Sequence, residues 1–487
     1  MSMAAQIVAR KSLQSARIVV VGAGPSGIAA ATKLIEAGFR NVVILEAENR
    51  IGGRVYTVPF ADNVVDLGAQ WCHGEKNNAI YETLQQNGLD LVESTGRVYD
   101  DYKCIRSNKE VVGDDVAESL KSIAFNSIPE RQEGLVDYEG SLGAYLTEKY
   151  WNEVDKLGPN VDRVVAKEFF ENFKKFESSV EASDHLFEVS GRGHLEYWIC
   201  EGDLLLNWRN KGFRTFLEVL LKSSVESPLG LLDARVLLNQ RVVQIDWSNG
   251  QNIKVKCSNG TIVAADHVIC TTSLGVLKET HASMFKPSLP SSKIRAIEGL
   301  KLGTVDKFFV EFKEPFGPSE WTGMCFLWLE DDLKRLRDSN LFWLESVFGF
   351  YRVSYQPRVL QGWIIGPHAR HMETLTEDEV LEGILWLLRK FLTFNVPDPV
   401  HFKRTQWYSN VNFRGSYTFR TLLADELRTG AWDLATPLTD DKGQPLLQFA
   451  GEATHNHYYS TVHGAVESGW REAQRLIEFY KTIPSRL

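Results

Sequence analysis

The sequence VVVGAGPSG, residues 19–27, decides the fold at the start of this chain. Residues 17–22 form a short β-branched run, which predicts a buried parallel strand. Residues 26–37 are rich in Ala, Ile and Leu and predict a helix that ends at Gly38. Residues 41–46 predict a second strand. Together they make one βαβ unit of about thirty residues, the minimum for a dinucleotide-binding fold.

Three glycines in this turn have the spacing of a pyrophosphate-binding motif. Gly22 allows the tight turn, Gly24 lets the backbone approach the phosphates, and Gly27 lets the helix pack on the strand. The helix start, which includes Ser26, then faces the phosphates with its partial positive charge. Glu46 ends the next strand, where an acidic residue of such folds accepts hydrogen bonds from the ribose hydroxyls of the dinucleotide. Because three glycines alone are a weak signal, a turn without a ligand is the alternative.

The composition is that of a large globular protein. Of the 487 residues, 44% are hydrophobic and 24% charged, which excludes the disordered and fibrous classes. The net charge of −9 argues against a nucleic-acid surface, and no apolar run reaches the length of a membrane span. The six cysteines lack metal-site spacing, so we expect reduced thiols and no metal. Residues 1–16 lack the apolar core of a signal peptide.

The pattern of predicted elements changes along the chain. Residues 93–222 predict charged helical segments, and residues 235–271 predict short strands separated by turns. A second sheet-and-helix region follows over residues 306–407, with a helix at 377–394. Residues 446–450 predict a strand and 464–480 a final helix. An interleaved protein of two domains fits this order better than separate domains in series.

Several ordered blocks identify a family. Glu46 begins the block EAENRIGGR, residues 46–54, in which two arginines bracket a glycine pair. This sequence resembles the flavin amine oxidase family, within the glutathione-reductase-like flavoproteins. The resemblance extends over about residues 15–480 and includes further blocks: DLGAQW at 66–71, Trp407 with GSY at 415–417, and GEAT at 451–454.

The resemblance implies an α/β fold with an interleaved second domain. A glutathione-reductase-like Rossmann domain for FAD would comprise residues 15–95, 205–292 and 425–482. A substrate domain of mixed sheet plus helices, of the α+β type, would comprise residues 96–204 and 293–424. Residues 483–487 would form a tail.

The resemblance also assigns the FAD site. Glu46 would hold the adenosine ribose, Arg54 would lie by the pyrophosphate and flavin edge, and Val242 would meet the adenine through its backbone. Glu452 would contact the ribityl chain or phosphate, and the Val462 amide would meet the pyrimidine end of the ring. Other residues assigned to the cofactor are Gly68, Ala69, Trp71, Trp407 and Thr461. The monoamine oxidases of this family bond the flavin through a C-terminal Cys, but no cysteine here follows Cys325, so we expect non-covalent FAD.

Within the family, GAQWCHG at residues 68–74 is most similar to the animal polyamine oxidases. By that resemblance His73 would hydrogen-bond a substrate nitrogen above the flavin, although a lone His is more often a packing residue. Lys307 matches the family lysine that holds a water near the reactive flavin nitrogen. A lysine beside Phe308 and Phe309 on an apolar strand is unusual, because burying its charge is costly. The alternative is a strand-edge lysine that reaches solvent.

The implied reaction is the oxidation of a polyamine. Hydride would pass from the α-carbon of a secondary amine to FAD, the imine would hydrolyse to an aldehyde and a shorter amine, and O2 would reoxidise the flavin to give hydrogen peroxide. An aromatic tunnel favours the neutral, reactive amine, and acids or aromatic rings hold the distal cations. The predicted substrate contacts are His73, Tyr458, Ser460, Thr461 and Glu201, with Tyr459, Glu196 and Asp203 as further candidates.

The choice among amines stays open at this point. The substrate would be spermine or an N1-acetylated polyamine. The alternatives are another flavin amine oxidase, acting on monoamines or methylated lysine, and a flavin-binding protein without catalysis.

The last three residues, Ser485, Arg486 and Leu487, resemble the Ser-Lys-Leu peroxisomal targeting signal. They predict binding to the peroxisomal import receptor and a peroxisomal location, with the cytoplasm as the alternative. A monomer is the family-based expectation.

Overall fold

The computed structural model describes residues 12–92, 102–128, 135–158 and 161–481. In these residues the helices are α1 Pro25–Glu36, α2 Ala79–Gln86, α3 Asp114–Ser127, α4 Leu142–Lys156, α5 Arg163–Glu181, α6 Gly191–His194, α7 Arg214–Leu221, α8 Leu274–Met284, α9 Ser291–Gly299, α10 Glu330–Arg337, α11 Gly366–Met372, α12 Glu377–Phe391, α13 Leu422–Glu426, α14 Ala431–Ala435 and α15 Val462–Lys481.

The strands of the same residues are β1 Arg17–Val21, β2 Asn41–Leu45, β3 Thr57–Phe60, β4 Asn63–Asp66, β5 Lys103–Arg106, β6 Val236–Leu237, β7 Val242–Asp246, β8 Ile253–Cys257, β9 Ile262–Ala265, β10 His267–Cys270, β11 Phe285–Lys286, β12 Lys301–Leu302, β13 Val305–Glu311, β14 Gly323–Leu327, β15 Val347–Val353, β16 Gln356–Ile365, β17 His401–Arg404, β18 Thr418–Phe419, β19 Leu438–Thr439 and β20 Pro445–Phe449.

The first six-stranded sheet has the order β19-β20-β10-β1-β2-β6. Its strands pair in parallel, except that β19 runs antiparallel to β20. The predicted β1–α1–β2 unit is confirmed, with each boundary within one residue of the expectation. Parallel strands buried on both faces explain the near-continuous apolar runs in the sequence.

The C-terminal helix α15 packs against α1. A Cβ on Gly469 would lie 2.2 Å from the Ser26 carbonyl oxygen, so only glycine permits this approach. The two helices share a buried core that includes Ile28, Leu34 and Leu476. Burial of each such side chain stabilises the fold by about 1.5–3 kcal/mol. This packing brings the end of the chain to the glycine turn at its start.

The second six-stranded sheet has the order β17-β13-β16-β15-β14-β5. Helix α5 packs on β14, β15 and β16, while Phe308 of β13 faces the core that α12 completes. Every residue of β13 is therefore buried. Because side chains alternate along a strand, Lys307 and Phe309 lie on the opposite face from Phe308.

One prediction about the middle of the chain was wrong. Residues 93–222 were expected to contain only helical segments, yet β5 lies within them and pairs in parallel with β14. A four-residue strand carries too little local signal to be recognised, and its pairing with β14 at the edge of the sheet stabilises it.

The α/β class with a second, mixed sheet is confirmed. The strands of the first sheet come from residues 17–45, 236–270 and 438–449, and those of the second from residues 103–106, 305–365 and 401–404. The domain boundaries stay a prediction. Of the helices in the described residues, none has the length and hydropathy that a membrane crossing requires.

Candidate active site

One large cavity of about 2100 Å³ extends from the glycine turn to β13 and α5. Ligand pockets usually have volumes of about 300–1,000 Å³. This cavity therefore offers the volume for a dinucleotide cofactor and a substrate together. Its lining residues include Gly22, Gly24, Glu46 and Val242, and also His73, Lys307 and Trp363.

The turn before α1 is built to hold a pyrophosphate. Gly24 is the N-terminal cap residue of α1, so the first amides of the helix point into the cavity. A Cβ on Gly27 would lie 2.0 Å from the Gly22 carbonyl oxygen, which makes glycine obligatory where helix and turn meet. On the other side, Gly53 packs against Gly24 backbone to backbone. These residues fit the diphosphate of FAD.

Glu46 lies at the carboxyl end of β2, on the cavity wall. Its Oε2 accepts a hydrogen bond from the Ala23 amide at 2.6 Å, and its Oε1 accepts one from the Glu48 amide at 2.7 Å. Burial raises the pKa of this carboxyl, while the two amide bonds oppose the shift. Glu46 thus fixes the glycine turn, and its predicted ribose contact stays a prediction.

Arg54 and Glu452 pair with each other across the cavity wall. Arg54 Nη1 donates to Glu452 Oε1 at 3.0 Å and to the Ser416 carbonyl at 2.6 Å. Glu452 Oε2 accepts from Thr418 Oγ1 at 2.6 Å and from the Ser460 amide at 2.8 Å. This network ties the N-terminal block to the C-terminal block. The sequence predicted that both blocks meet the same cofactor, but not this ion pair between them. Both residues border the cavity, and their predicted FAD contacts stay predictions.

Lys307 is buried at the cavity, with 3% of its surface exposed. Its Nζ donates to the Asp66 carbonyl at 2.9 Å, the Gly68 carbonyl at 2.7 Å and Gln70 Oε1 at 3.0 Å. Burial lowers its pKa to about 7, although the charge of Asp66 opposes that shift. The ring of Trp363 lies 4.7 Å from Nζ. The alternative of a lysine that reaches solvent is therefore wrong.

His73 also borders the cavity. Its Nδ1 lies 2.6 Å from the Leu204 carbonyl, which can only accept, so Nδ1 carries a proton. His73 is exposed to the cavity, and the protein that encloses it lowers the pKa of the ring and favours the neutral form. In that tautomer Nε2 is a hydrogen-bond acceptor, suited to the N–H of an amine.

The residues before α15 form another part of the cavity wall. Thr461 Oγ1 donates to the Tyr458 carbonyl at 2.7 Å and accepts from the Gly464 amide at 2.9 Å, so it caps the helix. Ser460 Oγ donates to the Thr418 carbonyl. Both hydroxyl protons are thus engaged within the chain. The cavity-lining residues here also include Tyr458, Tyr459 and Val462.

The remaining predicted cofactor residues also reach the cavity. The block at residues 66–71 supplies Gly68, Ala69 and Trp71. Asp306 holds the backbone of Trp407, because the Trp407 amide donates to Asp306 Oδ1 at 3.2 Å. Ser26 also borders the cavity, and its Oγ lies 3.3 Å from Ser468 Oγ of α15.

The acids suggested as cation anchors already have partners in the chain. Glu201 pairs with Lys76 at 2.7 Å and has 65% of its side chain exposed. Glu196 pairs with Arg420 at 2.6 Å, and Asp203 accepts from the Leu205 amide at 2.7 Å.

Sequence reasoning missed two other acids, Glu177 and Glu181 of α5, which border the cavity. The signal for Glu177 was its spacing of eight and four residues from Phe169 and Phe173, which places it on the buried face of α5.

Comparison with known proteins identifies the family of this chain. The family described as flavin containing amine oxidoreductase matches residues 25–477. The chain is 31% identical to the human and 30% identical to the bovine protein named peroxisomal N(1)-acetyl-spermine/spermidine oxidase, over 95% of this chain and of each relative. The solved structure of wild-type putrescine oxidase bound to putrescine superposes with a TM-score of 0.68 at 21% identity, covering 95% of this chain and 99% of that one.

The family match covers most of the chain, and it confirms the resemblance that the sequence blocks indicated. The fold is shared with the putrescine oxidase structure. The chain therefore belongs to the flavin-containing amine oxidoreductase family, and it is an oxidoreductase whose cofactor is FAD.

Proposed function

We propose that this enzyme is a polyamine oxidase that acts on spermine or N1-acetylated polyamines. It would oxidise the bond between a secondary nitrogen and its α-carbon, and water would then cleave the imine to an aldehyde and a shorter amine. O2 would be the final acceptor, giving hydrogen peroxide. The names of the mammalian relatives support the polyamine as substrate.

One observation carries the proposal. Lys307 donates to three oxygens within residues 66–70, and the same stretch of chain leads directly to His73. Both His73 and Lys307 border the cavity, and Trp363 lies over Lys307, which supports a shared role for the two side chains.

Each of these groups has a task that its environment permits. When bound, FAD supplies the hydride acceptor and passes the electrons to O2. His73 Nε2 would accept a hydrogen bond from the reacting amine and orient it. Burial lowers the pKa of Lys307 to about 7, and the neutral amine of this lysine would hold a water. Desolvation by Trp363 and Tyr351 would favour the neutral amine, the form that can lose hydride.

The same proposal includes the cofactor contacts. Glu46 and Val242 would bind the adenosine, Arg54 and Glu452 the diphosphate and ribityl chain, and the Val462 amide the flavin ring. Gly22, Gly24, Ser26 and Gly27 would hold the diphosphate, and Gly68, Ala69, Trp71, Trp407 and Thr461 would surround the flavin. FAD would be non-covalent. Tyr458, Ser460, Thr461 and Glu201 would complete the substrate contacts.

We further propose a peroxisomal monomer. The tripeptide from Ser485 to Leu487 lies outside the described residues, and it supports import through the peroxisomal receptor. The relatives named peroxisomal point the same way. The proposed division is an FAD domain of residues 15–95, 205–292 and 425–482 and a substrate domain of residues 96–204 and 293–424.

A substrate panel tests the proposal. Hydrogen peroxide release would be compared for N1-acetylspermine, spermine, spermidine, a benzylic monoamine and a dimethyl-lysine peptide. We expect kcat/KM for the best polyamine to exceed that for the last two by about 100-fold or more, a difference of about 2.7 kcal/mol in transition-state binding. A faster monoamine or methyl-lysine peptide would overturn the proposal.

A further inference from the structure

Two buried carboxyl groups contact each other behind the cavity wall. Asp306 of β13 has 0% of its surface exposed, and Glu373 at the end of α11 has 5% exposed. Asp306 lies on the same face of β13 as Phe308, toward the apolar core that α12 completes. Two negative charges close together in such a core would repel each other and would both lose their hydration.

The contact between these two acids requires a proton. The carboxyl group of Glu373 forms a hydrogen bond with that of Asp306. Because a carboxylate can only accept, one of the two acids must be protonated and donate. Burial raises the pKa of Asp306 well above its usual range, and the charge of Glu373 adds to this shift. Two carboxyl groups this close hold one proton between them.

Glu373 has the contacts of an ionised carboxylate. Its Oε1 accepts from the Tyr408 amide at 2.8 Å, and its Oε2 accepts from the Ser409 amide at 2.6 Å. Both oxygens therefore act as acceptors. The positive charge of Arg404, on β17, also acts on both acids. These groups stabilise one negative charge, which lies on Glu373.

Asp306 has the contacts of a neutral acid. Its Oδ1 accepts from Thr405 Oγ1 at 2.7 Å and from the Trp407 amide at 3.2 Å. Its Oδ2 is buried, and within the described part of the chain it accepts no hydrogen bond. Oδ2 is therefore the oxygen that can carry the proton and donate it to Glu373.

The pair holds the backbone of two residues that border the cavity, Lys307 and Trp407. Thr405 Oγ1, which donates to Asp306, also accepts from the Lys307 amide at 2.8 Å. The Thr405 amide donates to the Lys307 carbonyl at 3.0 Å. Asp306 holds the Trp407 amide, and Glu373 holds the next two amides. Residues 405–409 are thus fastened to β13 by the two acids.

We infer that Asp306 is a neutral acid that donates its proton to the Glu373 carboxylate, and that this pair positions Trp407 and Lys307 at the cavity. Both acids are positioning residues. The effect on catalysis rests on the proposed function, whereas the protonation of Asp306 does not. Asp306→Asn keeps each hydrogen bond, because the amide nitrogen donates where the acid proton did. Glu373→Gln cannot, because its NH2 group would face a backbone amide.

The kinetic test uses this asymmetry between the two isosteric variants. Asp306→Asn should keep kcat and the Kd for FAD within about 3-fold of wild type. Glu373→Gln should lower kcat/KM by about 10- to 100-fold, the cost of moving a catalytic group by about 1 Å. Asp306→Ala should lose as much, so that the comparison with Asp306→Asn shows rescue by the conservative change. Asp398→Asn, with 96% of its side chain exposed, is the control for loss of a charge.

Infrared difference spectra locate the proton without turnover. Between wild type and Asp306→Asn, both with FAD bound at neutral pH, the band lost should be the C=O stretch of a protonated carboxyl, which shifts in D2O. Asp398→Asn should lose a carboxylate band instead.

Several results would overturn the inference. They are loss of a carboxylate band in Asp306→Asn, failure of that variant to fold, and tolerance of Glu373→Gln equal to that of Asp306→Asn. Unchanged kcat/KM in Glu373→Gln with only a lower melting temperature would overturn the positioning role. If wild-type enzyme oxidises no polyamine, the proposed function fails, while the infrared spectra still decide the protonation of Asp306.

Discussion

Substitution of Gly27 by alanine tests whether the glycine turn positions α1 for the cofactor diphosphate. The added Cβ would lie 2.0 Å from the Gly22 carbonyl oxygen. Helix and turn would have to separate by about 1 Å to restore ordinary contact. Amides that bond phosphate at about 2.9 Å would then lie beyond about 3.5 Å, where the bond is lost. Alanine is otherwise the better helix former, so intrinsic helix propensity does not oppose the change.

The expected loss follows from those bonds. One or two charge-assisted hydrogen bonds are worth about 2–4 kcal/mol, so the Kd for FAD should rise by about 30- to 1,000-fold. The assay is titration of apoprotein with FAD, followed by quenching of flavin fluorescence. Gly113→Ala is the control, since a Cβ there meets nothing within 4 Å and φ is −57°. FAD affinity of Gly27→Ala equal to that of wild type would refute the reasoning.

Three further predictions concern the charged groups and the cofactor bond. Because burial lowers the pKa of Lys307 to about 7, activity that needs its neutral form should rise with pH through about 7 and then level off. Lys307→Met should slow flavin reduction or reoxidation by about 10²-fold while FAD stays bound. The activity of this variant should no longer rise with pH through about 7. Unchanged rates of both flavin reduction and reoxidation would contradict the role of Lys307. Glu452→Gln leaves the Arg54 guanidinium without its carboxylate, so the apoprotein should lose about 2 kcal/mol of stability, seen as a lower melting temperature. The exposed Glu153→Gln should leave the melting temperature unchanged, and an equal effect of both substitutions would count against a structural pair. Acid or heat denaturation should release FAD into the supernatant, whereas flavin that stays attached to the chain would show a covalent bond.

The N-terminal unit could be predicted almost completely from the sequence. Its strands and helix have strong local signals, because β-branched runs, the glycine turn and Gly38 each act on neighbouring residues. The conformations of β1, α1 and β2 are therefore set within some thirty residues. The family blocks located the residues of the cavity for the same reason, since each block is short and ordered.

Contacts between distant residues could not be predicted in this way. Arg54 and Glu452 are 398 residues apart, and the strand order β20-β10-β1 together with the packing of α15 on α1 brings their segments close. Cys104 and Cys325 looked scattered in sequence, yet they are partners in the pairing of β5 with β14, with Sγ atoms 3.0 Å apart. Such pairs depend on strand order, which composition and periodicity do not encode.

The acids predicted to bind the substrate also show that the partners of a side chain cannot be predicted from the sequence. Glu201 was predicted to contact the substrate, and the structure pairs it with Lys76. Glu177 was not singled out from the sequence, where it is one of several acids of α5. Only its burial against the second sheet distinguishes it from the exposed acids of α5.

The most direct test of the proposed function is anaerobic mixing of the FAD-bound enzyme with N1-acetylspermine or spermine. Flavin absorbance would be followed in a stopped-flow instrument, with a benzylic monoamine as control. We predict that at least one polyamine bleaches the bound flavin in a single turnover and that the monoamine does not. Flavin that stays oxidised with every polyamine, although dithionite reduces it, would contradict the assignment of this enzyme as a polyamine oxidase.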